Sequence, residues 1–348
     1  MNVLITGGAG YIGSHILVDL TEADHNIIVI DSLVNGHAEA IDRISKFTNT
    51  TIELAVGDIR DKPFLDRIFT EYLPDVVIHL AGLKSVNNSV EDPLAYYDVN
   101  VTGSQILLEV MQKHGCRKIV FSSSATVYGE PNFLPYTENH PVAPVSPYGR
   151  TKLVVENMIG DWVAAHTERS AISLRYFNPI GAHPTGLIGE HPHGLPNNLM
   201  PFITQVATNR RPFLRIFGDD YDTRDGTGER DYLHVMDLAQ AHILALTALN
   251  KQIGHDIINL GTGQGITVRE MVDAFQQATG QKIKTAVVKR RPGDLASFYA
   301  DNEHARATLG WTAKLSLMDM CRDTWAWTCE NPNGYQENSI LPRKTTRH

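Results

Sequence analysis

The stretch Thr6-Gly7-Gly8-Ala9-Gly10-Tyr11-Ile12-Gly13 decides the fold class of this chain. It directly follows the apolar run Val3-Leu4-Ile5, which is typical of a short buried strand. Gly8, Gly10 and Gly13 have the spacing G-x-G-x-x-G. Glycines at this spacing permit a tight turn, let backbone amides approach a pyrophosphate and bring the next helix close to the strand. The stretch therefore predicts the strand, turn and helix that open a dinucleotide-binding domain.

An acidic residue completes this pattern. A second apolar strand, Ile27-Ile28-Val29-Ile30, ends at Asp31, which follows Gly10 by 21 residues (31 − 10). An acid at this position can accept hydrogen bonds from the adenosine ribose hydroxyls and would repel a 2′-phosphate. No Arg or Lys occurs between Asp31 and Arg43. The sequence therefore predicts NAD, rather than NADP, as the cofactor.

Tyr148 and Lys152 form a second motif, four residues apart. Ser146 is a suitable N-cap and Pro147 a suitable first helical residue, so we predict that a helix begins here. On a helix, residues four apart share one face, and an ammonium beside a phenol favours the phenolate. Such a pair can move a proton on an alcohol while a hydride leaves the same carbon. An isolated Tyr-x-x-x-Lys pair is common by chance, and the upstream nucleotide motif is what favours a catalytic role.

The order of predicted elements indicates the architecture. Strands and helices alternate over about the first 180 residues, which predicts an α/β fold with a Rossmann-type, doubly wound parallel sheet. We expect an NAD-binding domain over 1–180, a smaller and less regular α/β lobe over 181–330 that mainly binds the substrate, and a flexible tail over 331–348. The chain is expected to cross back from the second lobe to the first domain. Among the predicted helices are Lys62–Tyr72, Pro93–His114 and Pro147–His166.

Composition excludes several classes of function. Hydrophobic residues make up 42% and charged residues 20% of the 348 residues, which is ordinary for a globular protein. The net charge of −8 argues against a general nucleic-acid or membrane surface. The three cysteines form no disulfide framework. Because the chain starts at once with a core strand, we predict no signal peptide and a cytoplasmic location.

A histidine cluster could be taken for a metal site. His183, His191 and His193 lie close together in sequence, but prolines and glycines interrupt them. Their spacing fits no zinc template, and no acid or thiolate completes the set. We therefore predict no metal.

Further stretches resemble the extended short-chain dehydrogenase/reductases. Beyond the glycine turn they are Gly57-Asp58-Ile59-Arg60, His79-Leu80-Ala81-Gly82-Leu83-Lys84, Phe121–Gly129, Ser146-Pro147-Tyr148-Gly149 and Leu174-Arg175-Tyr176-Phe177-Asn178. Others narrow the resemblance to the UDP-glucose 4-epimerase family, namely Gly194–Pro201, Asp225–Val235, Asn259-Leu260-Gly261 and Arg290–Asp294. The resemblance runs from about residue 2 to residue 330.

This resemblance implies roles for individual residues. Tyr148 is the implied catalytic base, Lys152 its helper, and Ser124 a hydroxyl that could bridge the substrate hydroxyl and the phenol. The residues implied to contact NAD are Gly7, Gly10, Tyr11, Ile12, Gly13, Asp31, Asn35, Asp58, Ile59, Leu80, Ala81, Lys84, Tyr148, Lys152 and Phe177. The residues implied to hold the UDP-sugar are Ser124, Asn178, Asn198, Leu199, Phe217, Arg230, Arg291, Asp294 and Phe298.

The two arginines and the two phenylalanines in this set suit their implied partners. Two arginines give bidentate hydrogen bonds to a diphosphate, and Phe217 could pack on the uracil face. Phe298 occupies the position that forms a wall beside the sugar's 2-substituent in this family. A bulky wall predicts a preference for UDP-galactose and UDP-glucose over N-acetylhexosamine analogues. Alternatively, Phe298 is a core residue of the apolar stretch Leu295–Ala300.

The implied reaction is the interconversion of UDP-galactose and UDP-glucose in galactose metabolism, by reversible NAD-dependent oxidation at sugar C4. A nucleotide-sugar 4,6-dehydratase is the main alternative, but it needs an acid–base pair, and the loop 122–126 holds no carboxylate. Another UDP-sugar-modifying enzyme, such as a decarboxylase, would need a cationic pocket for a sugar carboxylate. A non-catalytic NAD-sensing protein usually lacks the tyrosine or the lysine. The family also implies a homodimer through helices near Pro93–His114 and Pro147–His166.

Overall fold

The computed structural model describes residues 1–335 except 24, 195, 197, 252 and 292, so most of the predicted tail lies outside the described residues. The strands are β1 (Asn2–Thr6), β2 (Asn26–Asp31), β3 (Glu53–Val56), β4 (Val76–His79), β5 (Lys118–Ser124), β6 (Ser170–Tyr176), β7 (Asn178–Ile180), β8 (Leu214–Phe217), β9 (Glu229–His234), β10 (Gly254–Leu260), β11 (Gly265–Thr267), β12 (Thr285–Val288) and β13 (Ser297–Phe298). The helices are α1 (Tyr11–Thr21), α2 (Ala38–Thr48), α3 (Lys62–Tyr72), α4 (Val86–Glu91), α5 (Pro93–Tyr96), α6 (Gly103–Lys113), α7 (Pro147–Ala164), α8 (Leu199–Ala207), α9 (Val235–Ala248), α10 (Val268–Thr279), α11 (Glu303–Leu309) and α12 (Leu317–Glu330).

Seven strands form one parallel sheet in the order β10-β6-β5-β4-β1-β2-β3. Successive side chains of a strand point to opposite faces, so the apolar residues of β1 divide between two cores. Val3 and Ile5 pack with helices α1, α2 and α9, whereas Leu4 packs with α3, α6 and α7. The predicted α/β fold with a doubly wound parallel sheet is confirmed.

The remaining strands form two smaller sheets. Strand β9 pairs with β7, β11 and β13, and β8 pairs with β12. Helices α8, α10 and α12 share a separate core that contains Ile203, Phe275 and Met320. Strand β10 returns to the main sheet and pairs with β6, where Ile258 lies opposite Leu174. In the described part of the chain, no helix is long and apolar enough to cross a membrane.

The helix predicted over Pro93–His114 is present from Pro93 to Lys113 and contains a π-helical turn. Helices α5 and α6 flank a π-helical turn at Tyr97–Thr102. The buried side chain of Asn100 accepts a hydrogen bond from the Leu83 backbone N at 2.7 Å and donates one to Thr151 Oγ1 at 3.0 Å. The predicted helix is thus confirmed, and these tertiary hydrogen bonds accompany the extra residue that its π-turn inserts.

Three of the buried histidines, His15, His79 and His242, have lowered pKa values. Burial lowers the pKa of His15 and His79 to about 3 and the pKa of His242 to about 4. The ring nitrogens of His79 lie 2.7 Å and 2.8 Å from the hydroxyls of Thr6 and Ser104. These histidines are therefore neutral in the folded protein at physiological pH.

We expect the protein to lose stability on mild acidification. The unfolded chain takes up a proton at each of these histidines near pH ~6.5, whereas the folded chain resists protonation because its pKa values are lowered. Their contribution to stability is thus fully present above about pH 6.5 and is lost as the pH falls toward 4. Urea unfolding at about pH 7.5 and pH 5 measures the loss, and His242→Gln should reduce it. Equal unfolding free energies at both pH values would contradict the prediction.

Candidate active site

A cleft of about 1490 Å³ lies between the carboxyl ends of the main sheet and the second lobe. In open parallel sheets, ligands bind at this edge, where the loops after the strands meet. With the exception of Phe298, every site residue predicted from the sequence lines this cleft. The glycine turn, the Tyr148–Lys152 pair and the two predicted arginines therefore share one space.

The glycine turn leaves room that side chains would fill. Gly7 has a φ of 74°, a left-handed conformation that glycine adopts readily. A Cβ on Gly7 would lie 2.7 Å from the backbone N of Ala81, and one on Gly13 would lie 2.5 Å from the Gly7 carbonyl oxygen. Gly10 is the N-cap of α1 and provides no side-chain cap. The first amide groups of α1 therefore remain available to an anion such as a phosphate.

Asp31 is held firmly beside this turn. Its side chain is buried, with Oδ2 accepting a hydrogen bond from Ala9 N at 3.0 Å and Oδ1 accepting one from Leu33 N at 2.8 Å. Burial raises the pKa of the carboxyl group, and these two hydrogen bonds oppose the shift. The carboxylate is thus oriented by the backbone, with lone pairs left for ribose hydroxyls.

Helix α7 places Tyr148 and Lys152 in the cleft wall. The helix begins at Pro147 as predicted, and the Ser146 hydroxyl accepts a hydrogen bond from Gly149 N at 3.1 Å as its N-cap. Lys152 is buried, and its Nζ lies 5.9 Å from the centroid of the Tyr148 ring. The phenol and the ammonium thus lie on one face of the helix, as the spacing predicts.

The pKa of Tyr148 is raised, whereas its spacing to Lys152 predicts that the phenolate is favoured. Burial raises the pKa of Tyr148 to about 12, and a hydrogen bond with Ser124 opposes the shift. Burial also lowers the pKa of Lys152 to about 8, which Glu156 opposes. Burial is the largest cause of the shift on Tyr148, and Lys152 Nζ donates its hydrogen bond to the Ser122 carbonyl oxygen at 2.7 Å. Both groups are therefore shifted toward their neutral forms, as burial requires.

The opposite end of the cleft is cationic and aromatic. The Arg291 guanidinium lies 4.6 Å from the centroid of the Phe217 ring, and its Nε donates to Asp294 Oδ2 at 2.8 Å. Arg230 lies 3.9 Å from the same carboxylate and also donates to the Leu295 carbonyl oxygen at 2.9 Å. Two arginines and one flat ring are therefore positioned for an anion that carries an aromatic base.

Sequence reasoning missed Glu190, which links the two sides of the cleft. Its carboxylate forms an ion pair with Lys84 at 3.2 Å and accepts a hydrogen bond from Asn198 Nδ2 at 3.3 Å. Lys84 follows β4, whereas Asn198 precedes α8 in the second lobe. An acid in an irregular loop carries no sequence signal for such a bridge. Tyr96 on α5 and Tyr221 in a loop also line the cleft, and neither stands in a motif that the sequence analysis identified.

Phe298 lies behind the cleft surface. Its ring packs against the rings of Tyr136 and Phe177, at centroid distances of 4.8 Å and 5.2 Å. Phe177 itself lines the cleft, whereas Phe298 does not. Any effect of Phe298 on ligands therefore acts through the neighbouring ring.

The three histidines of the sequence cluster are not brought together as ligands. His191 and His193 stack on His37, with ring centroids 4.8 Å and 4.5 Å away. His183 instead contacts the hydroxyl of Thr185. Within the described residues, no group of three or more His, Cys, Asp or Glu side chains is placed to hold a metal ion.

Comparisons with known proteins agree with this architecture. A family profile described as GDP-mannose 4,6 dehydratase matches residues 4–324. UDP-glucose 4-epimerase 2 of Arabidopsis thaliana is 50% identical over 342 residues, covering 97% of this chain and 98% of the plant protein. The crystal structure of UDP-glucose-4-epimerase from Stenotrophomonas maltophila with bound NAD and formylated UDP-arabinopyranose has a TM-score of 0.93 at 49% identity, covering 95% of this chain and 99% of that chain. The enzyme from Bifidobacterium longum in complex with NAD+ and UDP also has a TM-score of 0.93, at 43% identity, covering 96% and 100%.

The parallel sheet, its glycine turn and a Tyr-x-x-x-Lys pair on the helix after β5 define an extended short-chain dehydrogenase/reductase. This class performs many reactions, and the similarity over nearly the whole length narrows the assignment. The chain belongs to the UDP-glucose 4-epimerase family, a family of isomerases.

Proposed function

We propose that this chain interconverts UDP-galactose and UDP-glucose, with NAD as its resident cofactor. The observation that carries the proposal is the shared cleft, into which the glycine turn, Tyr148 and Arg291 all open. A dinucleotide and a UDP-sugar can therefore meet at one phenol. The relatives named UDP-glucose 4-epimerase, which match nearly the entire chain, support the same reaction.

The residues at the glycine turn fit NAD. Gly7 and Gly13 leave a cradle that any Cβ would fill, and the uncapped start of α1 suits a pyrophosphate. Asp31 would hold the adenosine ribose and disfavour the 2′-phosphate of NADP. When bound, NAD accepts a hydride from the sugar C4 and later returns it.

Tyr148 accepts the proton of the sugar 4-hydroxyl group. Ser124 is the hydrogen-bonding neighbour of this phenol. Burial makes this phenol a poor base by itself, since its pKa is raised to about 12. Positive charge brought into the cleft lowers the pKa of a phenol. The buried Lys152 is one such charge whenever it is protonated, so Tyr148 becomes a base only in the assembled site.

The arginine end of the cleft anchors the UDP portion. Arg230 and Arg291 suit the diphosphate, and Phe217 suits the uracil ring. Strong contacts to the nucleotide let the sugar be held loosely, so that it can turn after oxidation and receive the hydride on its other face. Binding energy is thus used away from the reacting carbon.

Incubating the purified protein with UDP-galactose alone tests the proposal. We expect UDP-glucose to appear without added NAD and without net consumption of reducing equivalents. A 4-keto-6-deoxy product would instead identify a dehydratase. An absence of any conversion, with NAD bound, would identify a non-catalytic NAD-binding protein.

Selectivity for the sugar gives a sharper prediction. Phe298 packs behind Phe177, so we expect Phe298→Ser to leave space beside the sugar and to raise turnover of UDP-N-acetylgalactosamine relative to UDP-galactose. Phe298→Tyr keeps the bulk and should keep the wild-type preference. Competition assays with both sugars measure the ratio. Comparable wild-type rates on the two sugars would contradict a wall at this position.

We also propose a homodimer. Leu94, within the helix near Pro93–His114 that the family implies, and Val90, on the preceding helix α4, are 77% and 66% exposed. Burying them against a second copy would remove apolar surface from water. Light scattering should give twice the mass of 38.6 kDa. Leu94→Glu should shift the mass toward that of the monomer, whereas Val287→Glu, at an exposed position on β12, should leave the dimer intact. A wild-type monomer at micromolar concentration would contradict the proposal.

A further inference from the structure

Glu156 and Arg175 form an ion pair in the core, directly behind the active-site helix. Glu156 lies on α7, and Arg175 lies on β6; their side chains are 2% and 3% exposed. The contact is bidentate, with Arg175 Nε and Nη2 donating to the two carboxylate oxygens at 2.9 Å and 2.7 Å. A buried ion pair is costly to desolvate and is not by itself a source of stability. Stability alone therefore does not explain an ion pair behind the helix that carries Tyr148 and Lys152.

The carboxylate is joined to the strand that carries Ser124. Ser123 Oγ donates to Glu156 Oε1 at 2.5 Å, and Ser123 lies opposite Arg175 in the register of β5 and β6. One turn earlier on α7, Lys152 Nζ donates to the carbonyl oxygen of Ser122 on the same strand. Hydrogen bonds thus join helix α7 to strand β5 at Ser122 and Ser123, the two residues immediately before Ser124.

Glu156 also acts on the charge of Lys152. The two residues are four apart on α7, on the same face as Tyr148. Burial lowers the pKa of Lys152 to about 8, and the negative charge of Glu156 opposes that shift. Without it, burial would drive the lysine further toward its neutral form. A neutral amine could not favour the phenolate of Tyr148.

The other groups near these side chains do not supply a negative charge. His79 on β4 faces Lys152 and has a pKa lowered to about 3, so it is neutral. Burial likewise lowers the pKa of His255 on β10, which faces Glu156 and Arg175. The remaining titratable groups at this point are the phenols of Tyr148, Tyr176 and Tyr128, the last of which lies against Arg175, and all three have raised pKa values.

We propose that Glu156 is a positioning residue of this site, whose buried carboxylate keeps Lys152 in its charged ammonium form. This inference rests on the proposed function, because the ammonium matters only if Tyr148 exchanges a proton with a substrate. Arg175 holds the carboxylate in place and partly offsets its field. Removing either member of the pair should therefore change the charge of Lys152, in opposite directions.

Variants of Glu156 and Arg175 test the proposal, because they should change the charge of Lys152 in opposite directions. In Glu156→Gln, we expect the alkaline limb of the kcat/KM profile for UDP-galactose to move to lower pH by about one unit, a typical effect of one nearby charge. In Arg175→Met, the same limb should move to higher pH. Glu156→Asp keeps the charge and should restore the wild-type limb. Ser123→Ala, which removes a hydrogen bond but no charge, should leave the position of the limb unchanged.

A purely structural role predicts another result. Both Glu156→Gln and Arg175→Met break the same pair, so destabilisation alone would lower turnover in both variants without opposite shifts. The proposal is overturned if the alkaline limb of the kcat/KM profile does not move in Glu156→Gln. It is also overturned if the limb moves in the same direction in Glu156→Gln and Arg175→Met. If Glu156→Gln does not fold, the sign of the shift in Arg175→Met decides.

A second readout does not depend on turnover. Nuclear magnetic resonance of protein carrying ¹³C-labelled lysine follows the titration of the Lys152 Cε signal, assigned by its absence in Lys152→Met. Its midpoint should fall in Glu156→Gln and rise in Arg175→Met. If the wild type does not convert UDP-galactose, the proposed function fails, whereas these titrations still test the effect of Glu156 on Lys152. Midpoints that do not change would overturn that effect.

Discussion

Tyr148→Phe should lower turnover of UDP-galactose by about 10²–10⁴-fold, the usual contribution of a general base, while the fold and bound NAD are retained. The substitution removes one hydroxyl and leaves the ring in the cleft wall. Its edge-on neighbour Tyr96, 6.5 Å away between ring centroids, keeps its packing. Rate measurements at saturating substrate, with NAD content determined on the same preparation, check the expectation.

Tyr96→Phe is the matched control for this variant. It removes a second phenol hydroxyl from the same cleft, and we expect its turnover to stay within about tenfold of the wild type, because no base is lost. Near-normal turnover in Tyr148→Phe would exclude this phenol as the base. A loss of equal size in both variants would point to general disturbance of the cleft.

Asp231→Ala should lower the free energy of unfolding by at least about 3 kcal/mol, since four donors lose their acceptor and each one left unpaired in the interior costs about 1–3 kcal/mol. Asp231 is fully buried next to Arg230. Its carboxylate accepts hydrogen bonds from Thr262 N and Oγ1 at 2.8 Å and 2.6 Å, from Gly263 N at 3.0 Å and from Ala300 N at 3.1 Å. One side chain thus ties together the segments after β10 and β13.

Urea unfolding measures this loss. Asp222→Ala provides the control, because Asp222 is exposed and its removal should change the unfolding free energy by no more than about 0.5 kcal/mol. An Asp231→Ala protein as stable as the control would show that water satisfies the four donors. Asp231→Asn should fall between the two, because its amide group can accept only part of these hydrogen bonds.

Local sequence signals predicted the parts of the molecule that depend on neighbouring residues. The helix predicted over Lys62–Tyr72 has those bounds in the structure, because Asp61 caps its start and Leu73 ends it in a left-handed conformation. The glycine turn and Asp31 depend likewise on a short segment and its spacing. Such features are set by backbone sterics and hydrogen bonds over a few residues.

Contacts between distant segments were not predictable in the same way. Glu190 bridges the cleft, and Glu156 supports Lys152, but neither residue stands in a motif whose chemistry requires an acid. The raised pKa of Tyr148 follows from burial in the folded chain, and the spacing to Lys152 carries no information about burial. The orientation of Phe298 depends on Tyr136 and Phe177, which are remote in sequence.

The return of β10 to the edge of β6 has a consequence for the growing chain. Strand β6 is complete at Tyr176, but its partner ends only at Leu260, 84 residues later (260 − 176). Until then, the backbone groups along one side of β6 have no strand to pair with. An open edge of this kind can pair with another chain. A chain truncated at residue 180 would therefore contain six of the seven strands of the main sheet and would expose the edge of β6 to pairing with other chains. A separable nucleotide-binding module requires β10.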